Sequence, residues 1–130
     1  MKVLATEDDN VLAGVIERNL RARGHTSRRA ETADETLRLI AEELPDVLLL
    51  DVNLPDGSGW EVLRRLEPAS RAAMRVIVVS AAPISHKRLL EFQPQAHLQK
   101  PFAISSLLHL IEQDTQDAEE ALGAVEGSVF

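Results

Sequence analysis

Carboxylate, hydroxyl and ammonium groups recur in this chain at places where an apolar run ends. The residues are Glu7 and Asp8 in KVLATEDDN, Asp51 in LLLDVNLPDG, Ser80 in VIVVSA and Lys100 in HLQKPF. Carboxylate oxygens are ligands that Mg²⁺ prefers, whereas a lysine ammonium and a serine hydroxyl can bind phosphate oxygens. The set therefore predicts a site for one divalent cation and one phosphoryl group.

Groups this far apart in sequence form one site only if the fold brings their strand ends to one edge. Apolar runs at 2–6, 47–50 and 75–79 are typical of buried strands in a parallel sheet. Lys100 follows a weaker run at 96–99. In an open parallel sheet, ligands bind beyond the carboxyl ends of the strands, so these side chains can converge there.

Strand and helix patterns alternate five times along the chain. Capping signatures, Thr32-x-x-Glu35 and Ser58-x-x-Glu61, precede two of the helical patterns, and Asn53 to Gly59 is predicted to be a loop. The predicted strands are 2–6, 25–29, 47–50, 75–79 and 96–99, and the predicted helices are about 10–23, 33–44, 58–66, 85–92 and 104 onward. Five such units predict an α/β fold, a flavodoxin-like (βα)5 doubly wound parallel sheet with strand order 2-1-3-4-5.

Length and composition predict one domain with its own core, because 45% of the 130 residues are hydrophobic. The chain has no cysteine, no stretch long enough to span a membrane and no signal-peptide pattern, so we expect a cytoplasmic protein. The net charge of −7 is concentrated from Glu112 onward, and no basic face favours nucleic acid. We predict a domain over 1–114 and an acidic helix extension or tail over 115–130.

Asp51 is the strongest candidate for chemistry, since it ends the most hydrophobic strand and begins a loop rather than a helix. A carboxylate in such a place can act as a nucleophile toward phosphorus and form an acyl phosphate. Glu7 and Asp8 are adjacent, and adjacent carboxylates repel each other unless a cation lies between them. Capping of the first helix is an alternative for the acidic run, and it suits Asp9 or Asn10 best.

The stretches KVLATEDDN, PDVLLLDVNLPDGSGWEVL, VIVVSA and LQKPF together resemble the receiver (REC) domain of two-component response regulators. The resemblance covers residues 2 to about 114. It implies that Asp51 is the phosphoacceptor and that Mg²⁺ is the cofactor. It also implies that Asp8 ligates the metal directly, that Glu7 acts through water and that Asn53 contributes a backbone carbonyl.

The same resemblance implies that Ser80 and Lys100 contact the phosphoryl oxygens, that Ser80 moves inward as a switch, and that the Lys100–Pro101 peptide is cis. Without the resemblance, Ser80 could be an ordinary strand-end serine and Lys100 a solvated surface lysine. Receivers usually have an aromatic switch residue three positions before the lysine, and here that position is His97. Histidine titrates near neutral pH, and the sequence leaves two interpretations of His97, a pH-sensitive switch and a partly exposed strand histidine.

The expected function is that of a stand-alone receiver. Asp51 would accept a phosphoryl group from a phosphohistidine on a sensor histidine kinase or histidine phosphotransfer protein. The domain would catalyse only its own phosphorylation and dephosphorylation, without being an enzyme in the usual sense. It would signal by phosphorylation-dependent protein–protein interaction or by onward relay. The cognate kinase, the downstream target and the oligomeric state stay open.

Two alternatives remain from the sequence. A receiver fold that docks on partners without phosphorylation is suggested by His97 and by the short segment between Ser80 and Lys100, where Pro83 and Pro94 bracket the fourth helix. An aspartyl-nucleophile phosphatase of the haloacid-dehalogenase type would need a second aspartate two residues after the first, and Asn53 occupies that position.

Overall fold

A five-stranded parallel sheet organises residues 1–113, which are the part of the chain that the structure, a computed structural model, describes. The strands are β1 Lys2–Thr6, β2 Thr26–Ala30, β3 Val47–Asp51, β4 Asn53–Leu54, β5 Gly57–Ser58, β6 Arg75–Ser80 and β7 Ala96–Gln99. The sheet order is β2-β1-β3-β6-β7, which confirms the predicted topology. Only the numbering differs, because β4 and β5 form a separate antiparallel hairpin in the segment predicted as a loop.

The helices follow the predicted pattern and include one that was not predicted. They are α1 Asn10–Ala22, α2 Ala33–Glu42, α3 Gly59–Arg65, α4 Pro68–Ala73, α5 His86–Phe92 and α6 Ile104–Glu112. Helix α4 buries no residue and so carries no apolar periodicity to predict it from. Within residues 1–113, no helix combines the length and the apolar character needed to span a bilayer. The predicted acidic segment 115–130 lies outside the described residues.

The start of α1 decides between two interpretations of the acidic run. The Asp9 carboxylate accepts hydrogen bonds from the amides of Val11 and Leu12, at 2.9 and 3.2 Å, and so caps the helix. A cap satisfies amides that would otherwise have no partner in the first turn. Asp9 is thereby explained as structural, and Glu7 and Asp8 remain for another role.

Side chains alternate between the two faces of each strand, and the core divides accordingly into two layers. One layer packs β1, β3 and β6 against α2 and α3, and its members include Leu4, Leu48, Leu50, Val76, Ile40 and Val62. The other packs the opposite sheet face against α1 and α6, and it includes Val3, Leu49, Ile77, Leu20, Leu107 and Ile111. Helices on both faces cover the central strands, which explains why those strands are continuously apolar.

Helix α5 is held differently, because it buries no residue. Phe92 in its last turn stacks on Trp60 of α3, with ring centroids 4.9 Å apart and planes 16° from parallel. Arg71 of α4 donates to the Gln93 carbonyl at 3.0 Å, just beyond the helix. One aromatic stack and polar contacts at the helix end therefore position α5, which is short as predicted.

The loop after β3 is tied to the beginning of α2 by Asp56. Its carboxylate oxygens accept hydrogen bonds from the amides of Ala33 and Asp34, at 2.8 and 3.1 Å. The hydrogen bond from the Ala33 amide is the main cause that lowers the pKa of Asp56. A residue five positions past Asp51 thus anchors the hairpin that follows the candidate nucleophile.

Candidate functional site

The carboxyl ends of four parallel strands bring the predicted residues to one edge of the sheet. Asp51 is the last residue of β3 and Ser80 the last of β6, while Glu7 and Lys100 directly follow β1 and β7. The register pairs Asp51 with Val79, which places the ends of β3 and β6 level. The strand ends therefore meet at one edge of the sheet, as the sequence predicted.

Lys100 lies between two buried carboxylates. Its ammonium nitrogen Nζ is 2.8 Å from Asp51 Oδ2 and 2.9 Å from Glu7 Oε1. The side chains of Glu7 and Asp51 are each only 5% exposed, and that of Lys100 is 27% exposed. The ammonium therefore offsets the repulsion that two carboxylates would otherwise exert in a poorly solvated place.

The pKa values of two of these groups are shifted from their ordinary values. Burial raises the pKa of the Glu7 carboxyl, and hydrogen bonds from Lys100 and the Asp9 amide only partly oppose that effect. Burial acts to lower the pKa of Lys100, but its hydrogen bonds with Asp51 and Glu7 outweigh burial, so its pKa is raised. Lys100 is thus held in its charged form.

Each oxygen of Asp51 has a partner. Oδ2 accepts from Lys100, and Oδ1 accepts from the Asn53 amide at 2.8 Å. The Val52 amide between them donates to Val79 O at 2.9 Å, which ties the start of the loop to β6. Asn53 therefore orients Asp51 through its amide, while its carbonyl as a metal ligand stays a prediction.

Three carboxylates form a group that suits a hard divalent cation. Glu7, Asp8 and Asp51 each offer one oxygen, and these atoms all lie within 4.8 Å of one another. Glu7 and Asp51 are buried and Asp8 is exposed, so the group opens to solvent on one side. Mg²⁺ takes oxygen ligands, is usually bound by one or two carboxylates and keeps several waters, and this all-oxygen group can supply those carboxylates.

Ser80 ends β6 beside Lys100 but bonds within its own loop. Its hydroxyl donates to the carbonyl of Ala82 and accepts from the Ala82 amide, and Lys100 N donates to Ser80 O at 2.7 Å. The Lys100–Pro101 peptide is cis. His97 is exposed on β7. The structure thus places Ser80 at the site edge, whereas the switch roles of Ser80 and His97 stay predictions.

An open groove adjoins Lys100. Leu12, Lys100, Pro101 and Phe102 line it, and its volume is about 400 Å³. Val11 nearby in sequence, in the first turn of α1, is 78% exposed although it is apolar. The groove therefore offers apolar surface beside Lys100, whose ammonium contacts the candidate nucleophile.

Gly59 is a positioning residue that the sequence reasoning passed over. Its amide donates to Val52 O at 2.7 Å, and a Cβ atom added to it would lie 2.3 Å from the Asp51 carbonyl oxygen. Only glycine allows the first turn of α3 to approach the strand end so closely. The sequence feature that could have indicated this contact is a glycine eight residues after the candidate nucleophile, at the start of a predicted helix.

We expect Gly59→Ala to destabilise the protein by about 1–3 kcal/mol, because the new methyl group meets backbone that cannot rotate away. The matched control is Gly14→Ala, since a Cβ at Gly14 in α1 would have nothing within 4 Å. There alanine is expected to stabilise the protein by about 0.5–1 kcal/mol through its helix propensity. Urea unfolding of both variants measures the difference, and equal effects would contradict the close packing of Gly59.

The sequence is similar to response regulator receiver domains. A model of the response regulator receiver domain matches residues 3–112. The response regulator MprA of Mycobacterium leprae is 32% identical over 110 residues, which are 83% of this chain and 48% of that protein. The chain therefore spans about half the length of the curated relatives it matches.

Solved structures share the fold. A putative response regulator from Chloroflexus aurantiacus has a TM-score of 0.76 at 28% identity, over 85% of this chain and 93% of that one. A response regulator protein from Burkholderia pseudomallei has a TM-score of 0.77 at 26% identity, over 94% of this chain and 74% of that one. The Burkholderia structure contains a phosphorylated aspartic acid, a calcium ion and citrate.

Proposed function

We propose that this chain, which belongs to the response regulator receiver domain family of two-component systems, accepts a phosphoryl group on Asp51. One observation carries the proposal: the Asp51 carboxylate is buried at a strand end, within 2.8 Å of the Lys100 ammonium and close to the carboxylates of Glu7 and Asp8. The phosphorylated aspartic acid and the cation of the Burkholderia relative support the same chemistry here.

In the proposed reaction, a carboxylate oxygen of Asp51 attacks the phosphorus of a phosphohistidine on a partner. The new O–P bond forms as the P–N bond breaks, and the imidazole nitrogen keeps the electron pair and takes up a proton. Positioning and charge neutralisation supply most of the catalysis in such transfers. Lys100 neutralises charge on the transferred group, since its ammonium already lies against the attacking carboxylate.

The residues that would hold Mg²⁺ are Glu7, Asp8 and Asp51, with the carbonyl of Asn53 as a further ligand. A bound Mg²⁺ would supply charge stabilisation to the phosphoryl oxygens. In the phosphorylated form, the Ser80 hydroxyl exchanges its Ala82 partner for a phosphoryl oxygen. Water later hydrolyses the acyl phosphate, so the domain is its own catalyst and substrate.

The partner that donates the phosphoryl group is a sensor histidine kinase or a histidine phosphotransfer protein. The apolar groove supports docking of such a protein, because it is lined in part by Lys100, whose ammonium contacts Asp51. The exposed Val11 in the first turn of α1 adds apolar surface to the same helix as the groove residue Leu12. The signal then passes through a phosphorylation-dependent contact with another protein or domain, or by relay to a second histidine.

The test is intact-mass detection of a phosphoryl adduct after incubation with acetyl phosphate, with and without Mg²⁺. One adduct that requires Mg²⁺ is the expected result. Beryllofluoride, which mimics the phosphoryl group, is tested in parallel because a short-lived acyl phosphate escapes mass detection. It should raise the unfolding temperature if it binds. A folded protein that shows neither adduct nor beryllofluoride binding would exclude the proposal and favour a docking module that works without phosphorylation.

A further inference from the structure

An arginine on the neighbouring edge strand holds the main chain of Glu7. Arg29 of β2 donates from Nε to the Glu7 carbonyl oxygen at 3.0 Å. The Glu7 amide donates to the carbonyl of Ala30, also at 3.0 Å. The last two residues of β2 therefore fix both main-chain hydrogen-bonding groups of Glu7.

A side chain is needed at this place because the sheet ends there. In a continuing parallel ladder, an amide from the adjacent strand would satisfy the Glu7 carbonyl. Strand β2 ends at Ala30, however, and the chain turns away to the α2 cap at Thr32. Glu7 is buried, and a buried carbonyl without a donor is unfavourable. The Arg29 guanidinium supplies the donor that the ladder no longer provides.

The carbonyl of Glu7 belongs to the peptide group that joins Glu7 to Asp8. That group is planar and rigid, so a hydrogen bond to its oxygen orients both residues that flank it. These two residues provide two of the three carboxylates of the candidate cation site, the third being Asp51. Arg29 therefore contacts the one backbone group through which both carboxylates can be positioned together.

Arg29 is partly buried, unlike an arginine in an ordinary surface ion pair. Its side chain is only 27% exposed, and its Nη1 is 3.3 Å from the more exposed carboxylate of Glu31. Its Nη2 is buried and has no hydrogen-bond partner among residues 1–113. A freely solvated guanidinium would not leave a nitrogen without a partner, so Arg29 lies inward against Glu7 rather than out in solvent.

We infer that Arg29 is a positioning residue for divalent-cation binding, because it orients the Glu7–Asp8 peptide so that both carboxylates reach a cation shared with Asp51. The inference deepens the proposed function and rests on it. Removing residues that orient metal ligands typically weakens metal binding 10- to 100-fold. A role through charge alone would have the opposite sign, since deleting a positive charge near a cation site strengthens cation binding.

The experiment measures Mg²⁺ affinity by calorimetric titration of the whole protein with MgCl₂ alone. Arg29→Gln should bind Mg²⁺ about tenfold more weakly than the unsubstituted protein. Arg29→Lys keeps the charge but lacks the Nε donor, so it should also bind more weakly. The matched control is Arg28→Gln, because Arg28 donates to Leu39 O and Glu43 O at the far end of α2. That variant should keep the original affinity.

An affinity that is unchanged or stronger in Arg29→Gln overturns the inference. If Arg29→Gln does not fold by circular dichroism, Arg29→Lys decides by the same criterion. Saturating Mg²⁺ should restore the yield of the acetyl phosphate adduct in the variant, since Arg29 does not touch the reacting atoms. Failure of the unsubstituted protein to bind Mg²⁺ would instead reject the metal-dependent part of the proposed function, and the inference with it.

Discussion

Replacing Asp51 by Asn is expected to reduce the Mg²⁺-dependent phosphoryl adduct from acetyl phosphate to background. Asparagine has nearly the same shape, so it can still accept the hydrogen bond from the Asn53 amide. The asparagine side-chain amide, however, is uncharged and too weak a nucleophile to attack phosphorus, so the O–P bond does not form. Intact mass measures the adduct, and circular dichroism shows whether the fold is retained.

The matched control for this result is Asp9→Asn. Asp9 is an acidic residue at the same edge of the sheet, and it caps α1 through the amides of Val11 and Leu12. Asparagine caps helices about as well as aspartate, so the fold should be unchanged and the adduct should form as before. If Asp51→Asn gave the same yield of phosphoryl adduct as the unsubstituted protein, Asp51 would not be the phosphoacceptor, whichever residue carried the adduct.

The central part of the fold could be predicted because its residues obey strong local rules. Val47 to Leu50 form a continuous apolar run, and such runs occur where both faces of a strand are covered by helices. Even the polar strand Thr26–Ala30 was predicted within one residue. It tolerates polar residues because it is an edge strand, and Arg28 reaches the end of α2 from one of its faces.

The site's carboxylates, hydroxyl and ammonium could be predicted because they lie at or just beyond the ends of strands that are recognisable in the sequence. Their supporting contacts could not. Arg29 meets Glu7 across 22 positions, and Asp56 meets Ala33 across 23, so both contacts depend on strand register and loop path. Helix α4 was missed for a related reason, since it buries nothing and therefore leaves no periodic signal.

Lys100→Met is expected to slow phosphorylation by acetyl phosphate at least about 100-fold, the usual effect of deleting one preorganised donor at a centre of developing charge. The reason is local: the Lys100 ammonium is the positive group in direct contact with both Asp51 and Glu7. Single-turnover formation of the adduct at saturating Mg²⁺ measures the rate. Lys87→Met is the control, because Lys87 is exposed on α5 and should leave the rate unchanged.

The same substitution should also change how stability depends on pH. Without the ammonium, the buried carboxylates of Glu7 and Asp51 lose their shared counter-charge. We expect the free energy of unfolding to fall by about 1–3 kcal/mol at neutral pH, which is less than for a fully buried ion pair because Lys100 is partly exposed. The Glu7 pKa is already raised by burial, and losing Lys100 removes a hydrogen bond that lowers it. A carboxyl group whose folded pKa is raised favours the folded state below its unfolded pKa, and that advantage is lost as pH rises through the folded pKa.

Urea unfolding without metal at pH 5 and pH 8 tests this expectation. The difference in unfolding free energy between Lys100→Met and the unsubstituted protein should be larger at pH 8, because the raised pKa of Glu7 makes its buried carboxyl more fully ionised there than at pH 5. Mg²⁺ should recover more stability in the variant than in the unsubstituted protein, because a divalent cation replaces the missing counter-charge among the carboxylates of Glu7, Asp8 and Asp51. A difference that is the same at both pH values, or larger at pH 5, would show that Lys100 does not hold the two carboxylates together. Its effect on phosphorylation would then have to arise only in the transition state.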